Sequence, residues 1–255
     1  MIALITGASK GIGRAFATEF AKNGIDVILI ARSQSLLDEL AKKIRSKYSI
    51  KAYPIAIDLS IQSSAEDVYR SVNDLGLTVD FLVNNAGFGD HGYFADSNRQ
   101  KQTEMINLNI ITLTQLAHLF VQNMKEKCSG KILNVASTAA FQPGPSMSVY
   151  FATKSYVLSF SEAIAEELKP YNITVTALCP GPTESDFGKV SGFKLLLNPQ
   201  KNKFPSSQEV AEFGYDKMMQ GKLIAIHGFF NSIQATAVRF FPRNIIRKIT
   251  HLKIK

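Results

Sequence analysis

The chain has 255 residues, and 45 % of them are hydrophobic. This composition excludes a disordered protein and favours one α/β domain with a single core. Its 29 Lys and Arg outnumber its 21 Asp and Glu, but residues 222–255 hold seven basic residues and no acidic one. The excess charge therefore belongs to the C-terminal segment, which argues against a nucleic-acid-binding body.

The two cysteines, Cys128 and Cys179, are far apart and in no metal-binding spacing. We therefore expect free thiols in a reducing compartment and no metal site. Residues 1–5 are apolar but too few for a signal peptide, and no apolar run has the length of a transmembrane helix. The sequence predicts a cytoplasmic protein.

Predicted strands and helices alternate along the whole chain. In the first half, strands at residues 2–6, 26–31, 51–57 and 79–83 alternate with helices at 11–22, 34–47 and 63–75. In the second half, helices at 98–127, 149–168 and 207–219 alternate with strands at 131–135, 174–178 and 223–226. This order predicts a doubly wound Rossmann fold: a seven-stranded parallel sheet with helices on both faces, in a single α/β domain. We place the catalytic domain at residues 1–228 and a basic extension at 229–255.

A glycine-rich turn joins the first predicted strand to the first helix. Gly7 allows a tight turn, Gly11 lets the backbone approach a pyrophosphate, and Gly13 lets the helix pack on the strand. The helix N-terminus adds free N–H groups and the positive end of the helix dipole. We assign the turn to dinucleotide binding through Gly7, Ser9, Lys10, Gly11, Ile12 and Gly13.

The end of the second strand predicts which dinucleotide binds. An NAD-binding chain places a carboxylate there, about twenty residues beyond the turn, for the ribose hydroxyls. This chain has Ala31 and Arg32 instead. Arg32 can clamp a 2′-phosphate and Lys10 can add positive charge, so we expect NADPH/NADP as the cofactor.

Tyr150 and Lys154 lie four residues apart on one predicted helix, so their side chains share a face. An ammonium near a phenol lowers the pKa of the phenol, which makes Tyr150 a candidate general acid/base. Ser137 follows a predicted strand at the edge where ligands bind, and it is placed to hold a substrate oxygen.

Together these features resemble the short-chain dehydrogenase/reductase family over nearly the whole chain. The matching pieces are Thr6-Gly7-x-x-x-Gly11-x-Gly13, Asp58-Leu59, Asn84-Asn85-Ala86-Gly87, Asn109, Ser137, Tyr150-x-x-x-Lys154 and Pro180-Gly181.

The resemblance implies a role for each of these residues. Tyr150 is the general acid/base, Lys154 holds the ribose, Ser137 orients the carbonyl, and Asn109 holds a water that relays protons to Lys154. Asn84 braces the central strand, and a purely structural role is the alternative for both Asn84 and Asn109. The remaining implied cofactor contacts are Asp58 and Leu59, Asn85, Ala86 and Gly87 on the adenosine side, and Pro180, Gly181 and Thr183 near the nicotinamide.

Two departures from the family pattern concern the second half. The first follows Pro180-Gly181, where the family has an apolar residue and then, two positions later, a Thr. This chain has Thr183 and Ser185 at these places, and either is a candidate for the cofactor contact. Nearly thirty residues also follow His227-Gly228, so the tail is placed to cover the surface used in common tetramers. We expect a homo-oligomer, with a dimer favoured.

The segments expected around the site are apolar, which predicts a small hydrophobic carbonyl substrate. They contain Phe88, Phe141, Pro143, Pro145, Met147, Phe187, Val190, Phe193 and residues 195–197. His91 and Tyr93 are candidate polar contacts, with a surface position favoured for His91.

The tail predicts a basic amphipathic helix from Pro242 onward. Ile245, Ile246, Ile249 and Leu252 fall in one arc, with basic residues around the rest. Such a helix either touches an anionic membrane surface, caps the substrate entrance, or packs on the body or a second subunit.

Three functions compete at this stage. The first is NADPH-dependent reduction of a carbonyl, the second is the same chemistry run toward oxidation, and the third is a cofactor-binding regulator or membrane-surface scaffold without turnover. Because both Tyr150 and Lys154 are present, the sequence favours an oxidoreductase.

Overall fold

The structure is a computed structural model that describes residues 1–193 and 204–254. Its strands are β1 Ile2–Thr6, β2 Asp26–Ala31, β3 Ala52–Ala56, β4 Phe81–Asn84, β5 Gly130–Val135, β6 Ile173–Cys179 and β7 Ile224–Ile226. Its α-helices are α1 Gly11–Lys22, α2 Gln34–Tyr48, α3 Ser64–Asp74, α4 Arg99–Ile106, α5 Leu113–Glu126, α6 Ser148–Leu168, α7 Phe187–Ser191, α8 Ser207–Met219, α9 Phe229–Ala237 and α10 Arg243–Ile254.

The seven strands form one parallel sheet in the order β3-β2-β1-β4-β5-β6-β7. The central strands are almost entirely apolar because helices cover both of their faces. The order reverses between β1 and β4, and in such sheets ligands bind at the carboxyl ends of the strands beside this point. The predicted Rossmann fold and its seven-stranded sheet are confirmed.

One hydrophobic cluster lies on each face of the sheet. Phe16, Phe20 and Leu40, from α1 and α2, pack on one face together with residues of α8. Val68 and Phe120, from α3 and α5, pack on the other face with residues of α6. These two layers hold the carboxyl edge of the sheet rigid, which fixes the positions of the loops that follow the strands.

The single helix predicted over residues 98–127 is wrong in its middle. The chain forms α4, then a π-helical segment at Asn107–Thr112, then α5. A π-helical turn inserts an extra residue into the helical repeat, and such turns are frequent at functional sites. This one brings the buried side chain of Asn109 toward the loop after β4.

The tail forms two helices, α9 and α10, joined by a short 3₁₀ turn at Val238–Phe240. The start of the tail helix just after Pro242 agrees with the prediction, but most of the predicted apolar arc does not pack on the body. Its members Ile245, Ile249 and Leu252 are exposed. α10 instead buries the stripe Ile246, Thr250 and Ile254, because it packs on the body along positions four residues apart.

No helix among the described residues is long and apolar enough to cross a membrane. The division of the chain at residue 228 stays a prediction.

Candidate active site

The glycine turn has the geometry that a bound dinucleotide requires. Gly7 and Gly11 have φ angles of +68° and +52°, which glycine adopts without strain. A Cβ on Gly13 would collide with the carbonyl oxygen of Gly7. Only glycine therefore lets α1 begin so close to the end of β1.

The N-cap residue of α1 makes no side-chain hydrogen bond to the backbone N–H groups of the first turn. Lys10 occupies the cap position without a side-chain hydrogen bond to the helix, and the first turn carries no acidic residue. By contrast, α8 begins with a complete capping box between Ser206 and Glu209. The free N–H groups of α1 are suited to an anion such as a pyrophosphate, so the turn fits the predicted cofactor.

Thr6 joins the glycine turn to the loop after β4, a role that the sequence did not indicate. Its hydroxyl accepts hydrogen bonds from the backbone N–H groups of Asn85 and Ala86, each at 2.9 Å. The Asn85 amide donates to the Thr6 carbonyl at 2.8 Å. Asn85 and Ala86 thus hold the two phosphate-side loops in register, and their contact with a cofactor stays a prediction.

Arg32 lies in the open at the end of β2. Its side chain is 77 % exposed, and it approaches the carboxylate of Asp58, with 4.0 Å between Nη1 and Oδ2. Asp58 also accepts hydrogen bonds from the backbone and hydroxyl of Ser60. An exposed guanidinium with so weak a partner is free to turn toward a phosphate.

Two other residues assigned to the cofactor already have protein partners, and their contact with a cofactor stays a prediction. Lys10 forms an ion pair with Asp186 at 3.3 Å, so a carboxylate already neutralises part of its charge. The side chain of Leu59 is buried in the core, and its carbonyl accepts a hydrogen bond from Thr112 at 2.9 Å. Any contact of Leu59 with a cofactor is limited to its backbone.

The structure brings Ser137, Tyr150 and Lys154 together at the carboxyl end of β5. Ser137 follows β5, and Tyr150 and Lys154 occupy the first two turns of α6. The Lys154 amine donates to the Val135 carbonyl at 2.7 Å and lies 5.9 Å from the centre of the Tyr150 ring. The Ser137 hydroxyl lies near enough to the Tyr150 phenol to lower its pKa, and it donates to the Pro180 carbonyl at 3.5 Å. A phenol, a hydroxyl and an amine therefore share one small site.

Desolvation is the largest influence on the pKa of Tyr150 in the structure, and the lowering by Lys154 stays a prediction. Desolvation raises the pKa to about 12, and the nearby Ser137 hydroxyl lowers it by less. At neutral pH Tyr150 is therefore a phenol that has a proton to donate.

Lys154 is only 5 % exposed, and desolvation lowers its pKa to about 8. The nearby Cys179 acts in the opposite direction, but by less. A buried amine with this pKa is still mostly protonated at pH 7, and it loses the proton in mildly alkaline solution.

This shift predicts a stability difference between wild type and Lys154→Met. Between pH 8 and 10.5 the unfolded chain binds the Lys154 proton and the folded chain does not, so the free energy of unfolding rises with pH. From pH 7 to 9 the Lys154 contribution is a rise of about 1 kcal/mol. Cys179, whose pKa burial raises to about 12, opposes this rise near pH 9 in both proteins.

Denaturant titrations at both pH values check this prediction. We expect the rise in wild type to exceed that in Lys154→Met by about 1 kcal/mol, since only wild type carries the buried amine. Equal pH dependence in the two proteins would show that the amine is not desolvated.

Asn109 is held by neighbouring protein groups at both ends of its side-chain amide. Its amide nitrogen donates to the Phe88 carbonyl at 3.0 Å and to the Thr153 hydroxyl at 3.1 Å, while its oxygen accepts from the Phe88 N–H at 3.2 Å. The Thr153 hydroxyl in turn donates to the Tyr150 carbonyl at 2.7 Å. The structural alternative for Asn109 thus has direct support, and the water relay stays a prediction. Thr153, which sequence reasoning missed, links this group to the start of α6.

Gly87 lies beside this group. A Cβ there would lie 2.9 Å from the Asn109 oxygen and 3.6 Å from the Lys154 amine. Within the sheet, the side-chain amide of Asn84 on β4 donates to the side-chain oxygen of Asn134 on β5 at 3.0 Å. Asn84 therefore ties these two strands together, as its structural alternative predicted.

The loop after β6 is held between the site and the tail. The Thr183 hydroxyl is buried and donates to the Gly181 carbonyl at 2.9 Å. Ser185 lies near the glycine turn, 3.4 Å from a Cβ placed on Gly11. Asn231 of α9 lies directly over Gly181, which leaves no room for a larger side chain there. No sequence pattern indicates this contact, because it depends on how the tail folds back.

Apolar side chains surround Tyr150 as predicted. The Phe187 ring lies 5.2 Å and the Phe151 ring 6.1 Å from the Tyr150 ring, measured between centroids. Met147 packs in the same cluster. The predicted wall at residues 195–197 lies outside the described residues. His91 is half-buried, its Nε2 lies 3.0 Å from the Ile254 carbonyl of α10, and its role stays a prediction.

Residues 1–192 match the family model described as short chain dehydrogenase. The chain therefore belongs to the short-chain dehydrogenase family, an oxidoreductase family, which confirms the resemblance found in the sequence.

Several relatives are similar over most of the chain. The very-long-chain 3-oxoacyl-CoA reductase of Rattus norvegicus is 32 % identical over 238 residues, which is 91 % of this chain and 74 % of that protein. A short-chain dehydrogenase from Sphingobium yanoikuyae, solved in complex with NADPH, is 28 % identical with a TM-score of 0.85, covering 94 % of this chain and 92 % of the other. The bulky-bulky ketone specific alcohol dehydrogenase from Comamonas testosteroni is also 28 % identical, with a TM-score of 0.80 and the same coverage.

Proposed function

We propose that this protein reduces a hydrophobic ketone or aldehyde to an alcohol with NADPH as the hydride donor. The observation that carries this proposal is the half-buried phenol of Tyr150, which lies beside Ser137 and Lys154 and packs against aromatic side chains. The similar proteins named as reductases of a 3-oxoacyl-CoA and as ketone-specific dehydrogenases support a carbonyl substrate with a bulky apolar group.

Each side chain of the site has its own role in carbonyl reduction. Ser137 donates a hydrogen bond to the carbonyl oxygen, which orients it and polarises the carbonyl bond. Tyr150 then donates its proton to that oxygen, and its high pKa keeps the proton in place at neutral pH until charge develops there. Lys154, still mostly protonated at pH 7, stabilises the phenolate that remains. When bound, the reduced nicotinamide supplies the hydride that reaches the carbonyl carbon.

The choice of NADPH rests on the end of β2. Ala31 offers no carboxylate to ribose hydroxyls, and Arg32 is exposed and makes only a distant approach to Asp58. A guanidinium in this position pairs with a 2′-phosphate and gains nothing from a free 2′-hydroxyl. The similar short-chain dehydrogenase from Sphingobium yanoikuyae was solved with NADPH, which agrees with this choice.

A panel of carbonyl compounds tests the proposal directly. Loss of NADPH absorbance with hydrophobic ketones or aldehydes, and slower loss with small polar ones, is the expected result. If no compound of the panel consumes NADPH above the rate without protein, the proposed activity is wrong.

We also propose that the tail contacts an anionic membrane surface. Phe229, Phe230, Phe240, Phe241 and Leu252 are each more than half exposed, an unusual density of open apolar side chains. The segment around them is basic and has no acidic residue to repel anionic lipid. Aromatic residues beside cations are typical of interfacial membrane contacts.

Sedimentation with vesicles checks this contact. We expect binding to vesicles of phosphatidylserine and phosphatidylcholine at low salt, and none to phosphatidylcholine alone. The double variant Phe230→Ser/Phe240→Ser should lose most of this binding, because both rings are more than 80 % exposed and contribute to insertion. Ile61→Ser, an exposed apolar residue outside the tail, is the matched control and should bind as wild type does. A wild-type protein that stays in the supernatant with anionic vesicles would contradict the proposal.

The homo-oligomer and the cytoplasmic location stay predictions from the sequence.

A further inference from the structure

The last turn of α10 is packed into the body of the protein. Ile246, Thr250 and Ile254 follow one another at intervals of four residues, and each is at most 8 % exposed. Ile254 belongs to one hydrophobic cluster with Ala139, Met147 and Phe151. The other members of this cluster thus come from the segment after β5 and from the start of α6, the two parts of the chain that carry Ser137 and Tyr150.

Tyr150 itself packs against this cluster, together with Phe187 and Phe193 from the loop after β6. A Cβ on Gly89 would come within 2.7 Å of Phe187 and 3.2 Å of Tyr150, so the loop after β4 closes on the same rings. The aliphatic side chain of Ile254 therefore belongs to the apolar cluster against which the Tyr150 ring packs.

Polar contacts keep the last turn in this position. His91 Nε2 lies 3.0 Å from the Ile254 carbonyl, and the His91 backbone N–H donates to the Ser191 carbonyl at 2.9 Å. The His251 ring lies 6.5 Å from that of Tyr93. The end of α10 is thus tied to the loop after β4, which in turn is tied to α7.

We propose that Ile254 is a specificity-determining residue, whose side chain bounds the apolar part of the substrate pocket and limits the bulk of the group carried by the carbonyl. This inference rests on the proposed carbonyl reduction. It assigns the end of the tail a function in substrate selection, apart from any contact of the tail with lipid.

Removing carbon atoms from the wall of an apolar pocket shifts the substrate preference toward larger groups. One methylene in an apolar pocket is worth about ten-fold or more in discrimination. Ile254→Ala removes three carbon atoms, so space opens for a longer or bulkier substituent. We expect kcat/KM for a long straight-chain 2-alkanone, relative to a short one, to rise at least about ten-fold over wild type.

Ile249→Ala is the matched control, since it makes the same change on the same helix at a side chain that is 46 % exposed. Its preference for chain length should equal that of wild type. If Ile254→Ala keeps the wild-type preference while all three proteins reduce the series, the inference is overturned and the proposed function stands.

A second readout does not depend on turnover. The chain contains no tryptophan, so Ile254→Trp introduces a single fluorescent reporter, and Ile249→Trp gives its control. With NADP⁺ present, addition of a long 2-alkanone should shift the emission of the Ile254→Trp variant and leave that of the Ile249→Trp variant unchanged. An unchanged emission in both variants overturns the inference, whether or not wild type reduces the ketone. A shift confined to Ile254→Trp in a chain that reduces none of the series would support the pocket and contradict the proposed function.

Discussion

Tyr150→Phe is expected to lower the rate of carbonyl reduction by roughly 10²–10⁴-fold, the usual contribution of a general acid. The ring of Tyr150 packs against Phe151 and Phe187, and phenylalanine preserves these contacts. Only the ionisable oxygen, which lies near Ser137, is lost. NADPH affinity should therefore stay within a few-fold of the wild-type value. Initial rates together with a fluorescence titration of NADPH measure both quantities.

Tyr156→Phe provides a matched control two turns from the N-terminus of the same helix. The Tyr156 hydroxyl lies 3.0 Å from that of Thr114 at the surface, so its loss should leave both rate and NADPH affinity unchanged. A Tyr150→Phe protein with near wild-type turnover would show that another group donates the proton.

Ala31→Asp is expected to reverse the cofactor preference. The new carboxylate repels the 2′-phosphate of NADPH and offers hydrogen bonds to the ribose hydroxyls of NADH. A charge-assisted bond to phosphate is worth about 1.5–3 kcal/mol, so NADPH affinity should fall roughly ten- to a hundred-fold while NADH affinity rises. Titration of both cofactors against wild type and variant measures this change.

Arg32→Gln tests the contribution of the guanidinium itself, because it leaves Ala31 unchanged. The side chain of Arg32 is largely exposed and approaches Asp58 no closer than 4.0 Å, so the variant should fold normally and lose NADPH affinity alone. Arg70→Gln, at an arginine of similar exposure on α3, controls for the loss of one positive charge. Equal affinity of the wild-type protein for NADH and NADPH would contradict the assignment of Arg32.

The fold was predictable from the sequence because apolar strands and amphipathic helices alternate with clear boundaries. β1, β2, α1 and α8 begin and end at the predicted residues. The interruption at Asn107–Thr112 was not predictable, since a π-helical turn needs an extra residue that tertiary bonds to Asn109 stabilise. The buried face of α10 was missed for a related reason: hydrophobic periodicity shows that a helix is amphipathic but not what it packs against.

Only part of the candidate site could be predicted from the sequence. The Tyr150–Lys154 spacing placed both side chains on one face of α6, and the structure brings them to Ser137. The direction of the Tyr150 pKa was not predictable, because it depends on how much solvent the fold excludes. The contact of Asn231 with Gly181 was also hidden, since it joins residues fifty positions apart through the path of the tail.

The most direct test of the proposed reduction follows the fate of the hydride. Purified protein is incubated in two separate reactions, one with NADPH deuterated at one face of nicotinamide C4 and one with NADPH deuterated at the other face. Each reaction contains a hydrophobic ketone that the panel selects. We predict an alcohol that carries deuterium on its carbinol carbon from one face only, and almost none of this product from Tyr150→Phe. An alcohol without deuterium from either labelled face, or no alcohol from wild type with any ketone of the panel, would contradict the proposed hydride transfer.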